Sequence, residues 1–253
     1  MRLPPPIDLH AHVEVAIDAS ELLALGVVFA ATRSLEEADR ATRRDDPQTV
    51  WGVGCHPGLA RAQESFDAET FAALIERTAF ASEVGLDGSS RVPMATQQAT
   101  LRDVLKVVQR APRITSLHSY QATEQVLAEL EAQPIRGAVL HWWLGNAAQT
   151  RRAIELGCYF SINASSARRV DILGLLPLDR VLTETDHPFG DRSGGRTARP
   201  GRVETVEEAL GRAHALSQAQ IRTSLWNNLG RLTASVGCAG LLPRGIRRQL
   251  AAL

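Results

Sequence analysis

The sequence predicts a single (β/α)8 barrel spanning residues 1–253. Two observations carry that expectation. Short apolar, β-branched runs recur at intervals of about 20 to 35 residues, and eight can be counted. The segments between them mostly repeat their apolar residues at helical spacing. Strands alternating with helices must be parallel, because a return crossover needs a helix-sized connection. Eight such units in 253 residues match the arithmetic of a closed barrel. An open doubly wound sheet normally uses fewer strands, and its glycine-rich phosphate fingerprint is missing.

The strand candidates begin near Ile7, Gly26, Val50, Ala79, Ile114, Gly137, Cys158 and Val181. Asp18 and Ser20 offer caps for a first helix, and Asp67 for a later one over 67–78, whose apolar face holds Phe71, Leu74 and Ile75. Residues 97–110 place Leu101, Val104, Leu105 and Val108 on one face, and residues 123–132 and 147–156 behave similarly. Helices over 205–216 and 218–229 would complete the outer layer. No linker, repeat or low-complexity stretch divides the chain, so one domain is expected.

Charge narrows the function. Twenty-eight Lys plus Arg balance 28 Asp plus Glu, which excludes a body-wide electrostatic grip on nucleic acid. Lys106 is the sole lysine among these cations. Cys55, Cys158 and Cys238 show no metal or disulfide spacing, which suits a reducing compartment. With no apolar run long enough to span a membrane and no signal core at the N-terminus, the expected location is the cytoplasm.

Histidine supplies the chemistry. Of seven copies, His10 and His12 lie in the first strand, His56 follows the third, His118 and His141 lie in the fifth and sixth, and His187 follows the eighth. The C-terminal ends of barrel strands form the active-site face. His10 and His12, two residues apart, point to one side of their strand and make half of a metal site. Asp8 shares that side and is expected to orient a ligating ring. Glu83 lies inside an apolar strand, where an unpaired carboxylate costs several kcal/mol; a metal partner removes that cost more economically than an arginine. Asp186 ends the eighth strand, where a carboxylate can bind a metal and accept a proton from water. Glu184 is expected to orient that water or Asp186. Four histidines and two carboxylates suit two divalent cations of open identity, with mixed N/O ligation fitting Zn, Mn, Fe, Co or Ni and Mg less comfortably.

Asp8-Leu-His-Ala-His12, Gly54-Cys-His-Pro57, Glu83-Val-Gly-Leu-Asp87, His118-Ser119, His141 with Gly145, and Glu184-Thr-Asp-His-Pro188 stand in an order that resembles the TatD-type metal-dependent deoxyribonucleases. Asn228 matches that family's closing helix. The resemblance spans nearly the whole chain. It implies a barrel, a divalent-metal site and DNA as substrate. By this likeness His10, His12 and Asp186 hold one metal and His118 and His141 the other, with Glu83 between them. A closer resemblance, to the TatD-like nuclease subunit of Qat-type anti-phage defence systems, rests on Glu83-Val-Gly-Leu-Asp-Gly-Ser89, Gly157-Cys-Tyr-Phe-Ser-Ile162 and Leu182-Thr-Glu-Thr-Asp-His-Pro-Phe189. It implies other defence-system proteins as partners.

Three departures bear on substrate choice. Tyr120 stands where that family usually has arginine, Trp142-Trp143-Leu144 replaces a common Phe-Ser pair, and His187 replaces a small residue. Expected substrate contacts are Arg33, His56 and His187, with Arg192, Arg196, Arg199 and Arg202 in a Gly/Pro-rich loop as a phosphate clamp. One rival is another amidohydrolase-type enzyme acting on an amide, lactone or ester. Its usual carbamylated-lysine bridge has no suitable residue, since Lys106 lies in a helical pattern. The other rival is a subunit that binds DNA or a partner with little activity of its own.

Overall fold

The computed structural model describes residues 3–190 and 198–252. Arg192 and Arg196, two of the expected clamp residues, lie outside them. Eight strands and eleven helices follow in order among the described residues. The first half contains β1 (Ile7–Ala11), α1 (Ala19–Ala24), β2 (Val27–Ala30), α2 (Leu35–Ala41), β3 (Thr49–Trp51), α3 (Ala60–Glu64), α4 (Ala68–Ile75), β4 (Phe80–Gly85), α5 (Met94–Arg110) and β5 (Ile114–His118). The second contains α6 (Thr123–Ala132), β6 (Ala138–Leu140), α7 (Ala147–Glu155), β7 (Tyr159–Ile162), α8 (Val170–Leu173), β8 (Val181–Thr183), α9 (Glu204–His214), α10 (Gln218–Val236) and α11 (Arg244–Leu250). Each observed strand begins within one residue of its expected start. The short helices α2, α3, α8 and α11 carry too few apolar repeats to be legible by periodicity.

Neighbouring strands pair in parallel throughout, β1 with β2, β2 with β3, and β4 through β8 in sequence. Two seams close the barrel. At the first, Val53 bridges Ala81, with Val53 N donating to Phe80 O at 3.1 Å and Ser82 N donating to Val53 O at 2.9 Å. At the second, Thr183 Oγ1 donates to Ile7 O at 2.6 Å and Asp186 N to His10 O at 2.8 Å. The result is the expected (β/α)8 barrel.

Local chemistry starts the helices where side chains can accept orphan amides. Asp18 accepts from Ser20 N at 2.8 Å and caps α1, so Ser20 is a donor inside the first turn. Asp67 caps α4 through Thr70 N at 2.7 Å. Asn146 with Gln149 and Ser217 with Gln220 form reciprocal capping boxes on α7 and α10. The C-terminal helix α10 then fastens the barrel's lower end. Asn228 Nδ2 donates to Val181 O at 2.6 Å and Leu178 O at 2.7 Å, at the start of β8. Trp226 Nε1 donates to Pro5 O at 2.8 Å, and Arg222 reaches Pro4 O at 3.0 Å while pairing with buried Glu207.

One distortion shapes the site. The backbone of β4 reaches past β3: Thr32 N donates to Ser82 O at 3.0 Å and Glu83 N to Thr32 O at 2.8 Å. The Ser82–Glu83 peptide is cis. Gly54 lies in this crossing, and a Cβ there would meet Glu83 N at 2.1 Å and Thr32 O at 2.2 Å. Neither is a side chain that can swing away. Gly237, by contrast, caps α10 at φ +70° with open space around it. Gly54→Ala is expected to destabilise the protein by at least about 3 kcal/mol through overpacking. Gly237→Ala should cost only about 1–2 kcal/mol, from left-handed backbone strain. Urea unfolding midpoints of the two variants check this order.

Candidate metal centre

The C-terminal ends of the strands bring Glu83 into a ring of imidazoles. Glu83 is 1% exposed. Its Oε1 lies 2.6 Å from His118 Nδ1 and 3.0 Å from His141 Nε2. Its Oε2 lies 3.3 Å from His12 Nε2, 3.5 Å from His56 Nε2 and 3.8 Å from His10 Nε2. Asp186 Oδ1 faces the same space, 3.6 Å from His12 Nε2 and 3.8 Å from His10 Nε2. Three overlapping groups have donor atoms close enough to share an ion: His10, His12 and Glu83; His10, His141 and Asp186; and His56, Glu83 and His118.

Supporting residues set each ring's orientation. His10 Nδ1 meets Ser116 Oγ at 2.8 Å and Ser82 Oγ at 3.3 Å. With the proton on Nδ1, the Nε2 lone pair points at two carboxylates. Burial pushes the His10 pKa down to about 4, with the nearby His141 adding to the effect, so the ring stays neutral. His10 Nε2 and Glu83 Oε2 are both buried without a hydrogen-bond partner. A lone pair aimed at carboxylate oxygens across 3.8 Å is repulsive unless a cation lies between. This donor set fits a divalent metal with N/O ligation.

The remaining titrating groups divide by partner. Burial opposes ionisation of Glu83, but the facing imidazoles of His56, His10 and His118 hold its carboxyl well below the usual range. Burial pushes Asp186 well above its usual range, with His141 opposing. His141 resists the downward pull of burial because the carboxylates of Glu184 and Glu83 face it, and its pKa stands well above the ordinary value. His118 is raised similarly, burial being outweighed by Asp87 and Glu83. His56 is different. Its Nδ1 accepts from Gly58 N at 2.9 Å, so Nε2 carries the proton that faces the site. That makes His56 a donor toward a ligand rather than a metal ligand.

Several residues occupy places other than those expected. Asp8 orients no ring. It accepts from Thr185 N at 2.8 Å, Thr185 Oγ1 at 2.7 Å and Gly201 N at 2.8 Å, tying β8 and the returning chain to β1. Burial raises its pKa to about 7 against those bonds. Glu184 is fully buried, with Oε1 3.8 Å from His141 Nδ1. Its oxygens accept from Trp142 N at 2.7 Å, Asn163 Nδ2 at 3.2 Å and the Ser161 hydroxyl. His187 lies outside the metal cavity, on a neighbouring hollow that shares His12, Arg33 and Phe189 with it. Arg33 lines both. Lys106 pairs with Asp103 at 2.8 Å on the exposed face of α5, far from any bridging role. Ser116 and Ser82 were not singled out from sequence. Ser116 precedes His118 by two in β5, so a polar residue on the inward side was the available signal.

A family profile for TatD-related DNases matches residues 7–234. The chain belongs to the TatD-related DNase family. Deoxyribonuclease Tat-D of Schizosaccharomyces pombe is 32% identical over 116 residues, covering 42% of this chain and 37% of that protein. The 3'-5' ssDNA/RNA exonuclease TatD of Cronobacter turicensis is 30% identical over 171 residues, covering 62% of this chain and 64% of that protein. The chain therefore spans between 37% and 64% of the length of these two curated relatives. The solved structure of YJJV, a TatD homologue from Escherichia coli K12, superposes with a TM-score of 0.78 at 22% identity, covering 89% of this chain and 97% of that one. At that identity the likeness shows the shared TatD barrel.

Within this TatD-family barrel, the His10–Ser116 contact is open to a direct test. Ser116→Ala removes the nearer hydroxyl while leaving every metal-facing group in place. Divalent-cation affinity, measured by calorimetric titration, is expected to fall about 10–100-fold. An unchanged affinity would mean that packing alone orients His10.

Proposed function

We propose that this TatD-family protein is a divalent-metal-dependent deoxyribonuclease, a single barrel domain that hydrolyses DNA phosphodiester bonds in the cytoplasm. The observation that carries the reading is the two-sided environment of Glu83. One oxygen faces His10, His12 and His56; the other faces His118 and His141. His10, His12 and Asp186 would hold one cation, His118 and His141 a second, and Glu83 would bridge. Cations bound there acidify water and neutralise charge on the phosphoryl oxygens.

The chain's own residues do the rest. Asp186, on the cavity floor, is placed to take the proton from the attacking water. Glu184 keeps His141 and the Trp142 backbone in register from behind. His56 Nε2 donates toward a phosphoryl oxygen above Glu83, and Arg33 lies on the cavity wall for a flanking phosphate. We also assign His187, Arg192 and Arg196 to contacts with flanking phosphates. The lone lysine on α5 leaves a carboxylate as the bridging group, which disfavours the carbamylated-lysine type of amidohydrolase. The likeness of the Glu83–Ser89 and Leu182–Phe189 segments to a Qat-type nuclease subunit supports work within an anti-phage defence system beside partner proteins.

Glu83→Gln and Asp186→Asn should each lower the rate of oligonucleotide hydrolysis by about 10²–10⁴-fold, with circular dichroism unchanged. Chelation should abolish the activity and divalent metal should restore it. DNA left intact with Mg, Mn, Zn, Co and Ni, while a lactone or amide turned over, would overturn the reading.

A further inference from the structure

The mouth of the metal cavity is apolar where a nuclease needs to hold a polyanion. The cavity has a volume of about 560 Å³, in the range of small-ligand sites. Its floor carries Glu83, Asp87 and Asp186, and Arg33 is the one arginine or lysine among its described lining residues. Arg33 is itself engaged, with Nε 3.9 Å from Glu37 Oε2. Its rim is formed by Leu59, Tyr120, Leu144 and Phe189, which are 42%, 45%, 37% and 40% exposed. Eight large apolar side chains are exposed among the described residues, and half of them surround this one opening. Scattered exposed apolar residues need no explanation, but a cluster over a reactive centre marks a ligand-binding surface.

The rim is also rigid. Tyr120 O accepts from Gly88 N at 2.8 Å, which fastens the loop after β5 to the loop after β4. Leu144 follows Trp143, a 1% exposed anchor whose ring packs on Phe160 and whose Nε1 donates to Thr150 Oγ1 at 2.9 Å. The preceding Trp142 N is held by Glu184. Phe189 packs edge-on against His12, with ring centroids 5.7 Å apart. One wall of the rim therefore touches a metal-facing imidazole.

We infer that this collar is a nucleobase clamp: Tyr120, Leu144 and Phe189 are specificity-determining residues that hold the face of one unpaired base while its phosphate lies at Glu83 and Asp186. The inference rests on the nuclease reading, since a phosphodiester seated on the floor carries its sugar and base up to the rim. A base is flat and amphipathic, and it offers a π face only when it is unpaired. Stacking on an aromatic ring contributes about 1–3 kcal/mol per base and tolerates every base. Tyr120, standing where the family usually has an arginine, exchanges a salt-sensitive phosphate contact for a salt-insensitive one.

Equilibrium binding separates the base from the phosphate. Metal-loaded protein is titrated with deoxyadenosine 5′-monophosphate and with 2-deoxyribose 5-phosphate, followed by calorimetry. The nucleotide should bind about 5- to 150-fold more tightly. Tyr120→Ala and Phe189→Ala should erase most of that ratio, and Tyr120→Phe should keep it. The ratio should hold between low and high KCl, while both affinities fall together. Equal affinity for the two ligands, no binding of either, or a ratio unmoved by either alanine variant overturns the clamp. Unchanged thermal unfolding midpoints exclude misfolding. Oligonucleotide hydrolysis, assayed separately, tells the two readings apart: a base-dependent ratio in a protein that cleaves no DNA would leave the clamp standing and sink the nuclease.

Discussion

The buried carboxylate of Glu83 is the constraint around which the upper half of the barrel is built. A carboxylate removed from water must be compensated within a few ångströms. Five imidazoles from four strand ends approach it within 3.8 Å. They cannot all be protonated together, and His10 and His56 are held neutral mainly by burial. A shared cation would resolve both problems, because it would neutralise the acid and use the lone pairs of neutral rings. The distorted path of β4 follows from the same need. It brings the Glu83 backbone against Thr32 across β3, and only glycine at position 54 leaves room.

Around that centre lies a layer of polar residues, most of them buried. Ser116 and Ser82 hold His10, Asp87 faces His118, and Glu184 with Ser161 and Asn163 stands behind His141. Asp8 belongs to a different task, binding Thr185 and Gly201 so that the final strand returns beside the first. The opposite end of the barrel is fastened by α10 through Asn228, Trp226 and Arg222. One end is thus closed by helix-to-backbone bonds, and the other is left open over a preorganised site.

Electrostatics and apolar surface divide the binding of a polyanion between them. The chain has no net charge, and the described cavity lining is acidic at its floor. On the proposed function, affinity for a phosphodiester would depend on cations held by that floor, on a few arginines and on the collar of Leu59, Tyr120, Leu144 and Phe189. Such a design grips locally rather than along the length of a duplex.

The order of strands and helices was legible in the sequence because each strand is a short apolar run and each long helix repeats at its own period. The histidines and acids of the site were legible too, since polar groups at the ends of buried strands have few other uses. Short helices were not, because four to seven residues carry too little periodicity. Nor were the partners of Asp8, Glu184 and His187: chain neighbours share a side of a strand, but hydrogen-bond partners come from strands far apart in sequence. Residue type and strand position alone determined which groups reach the barrel mouth. Only the closed barrel decided which of them meet, because the distance between two strand ends depends on closure and register, and neither is written in any one segment.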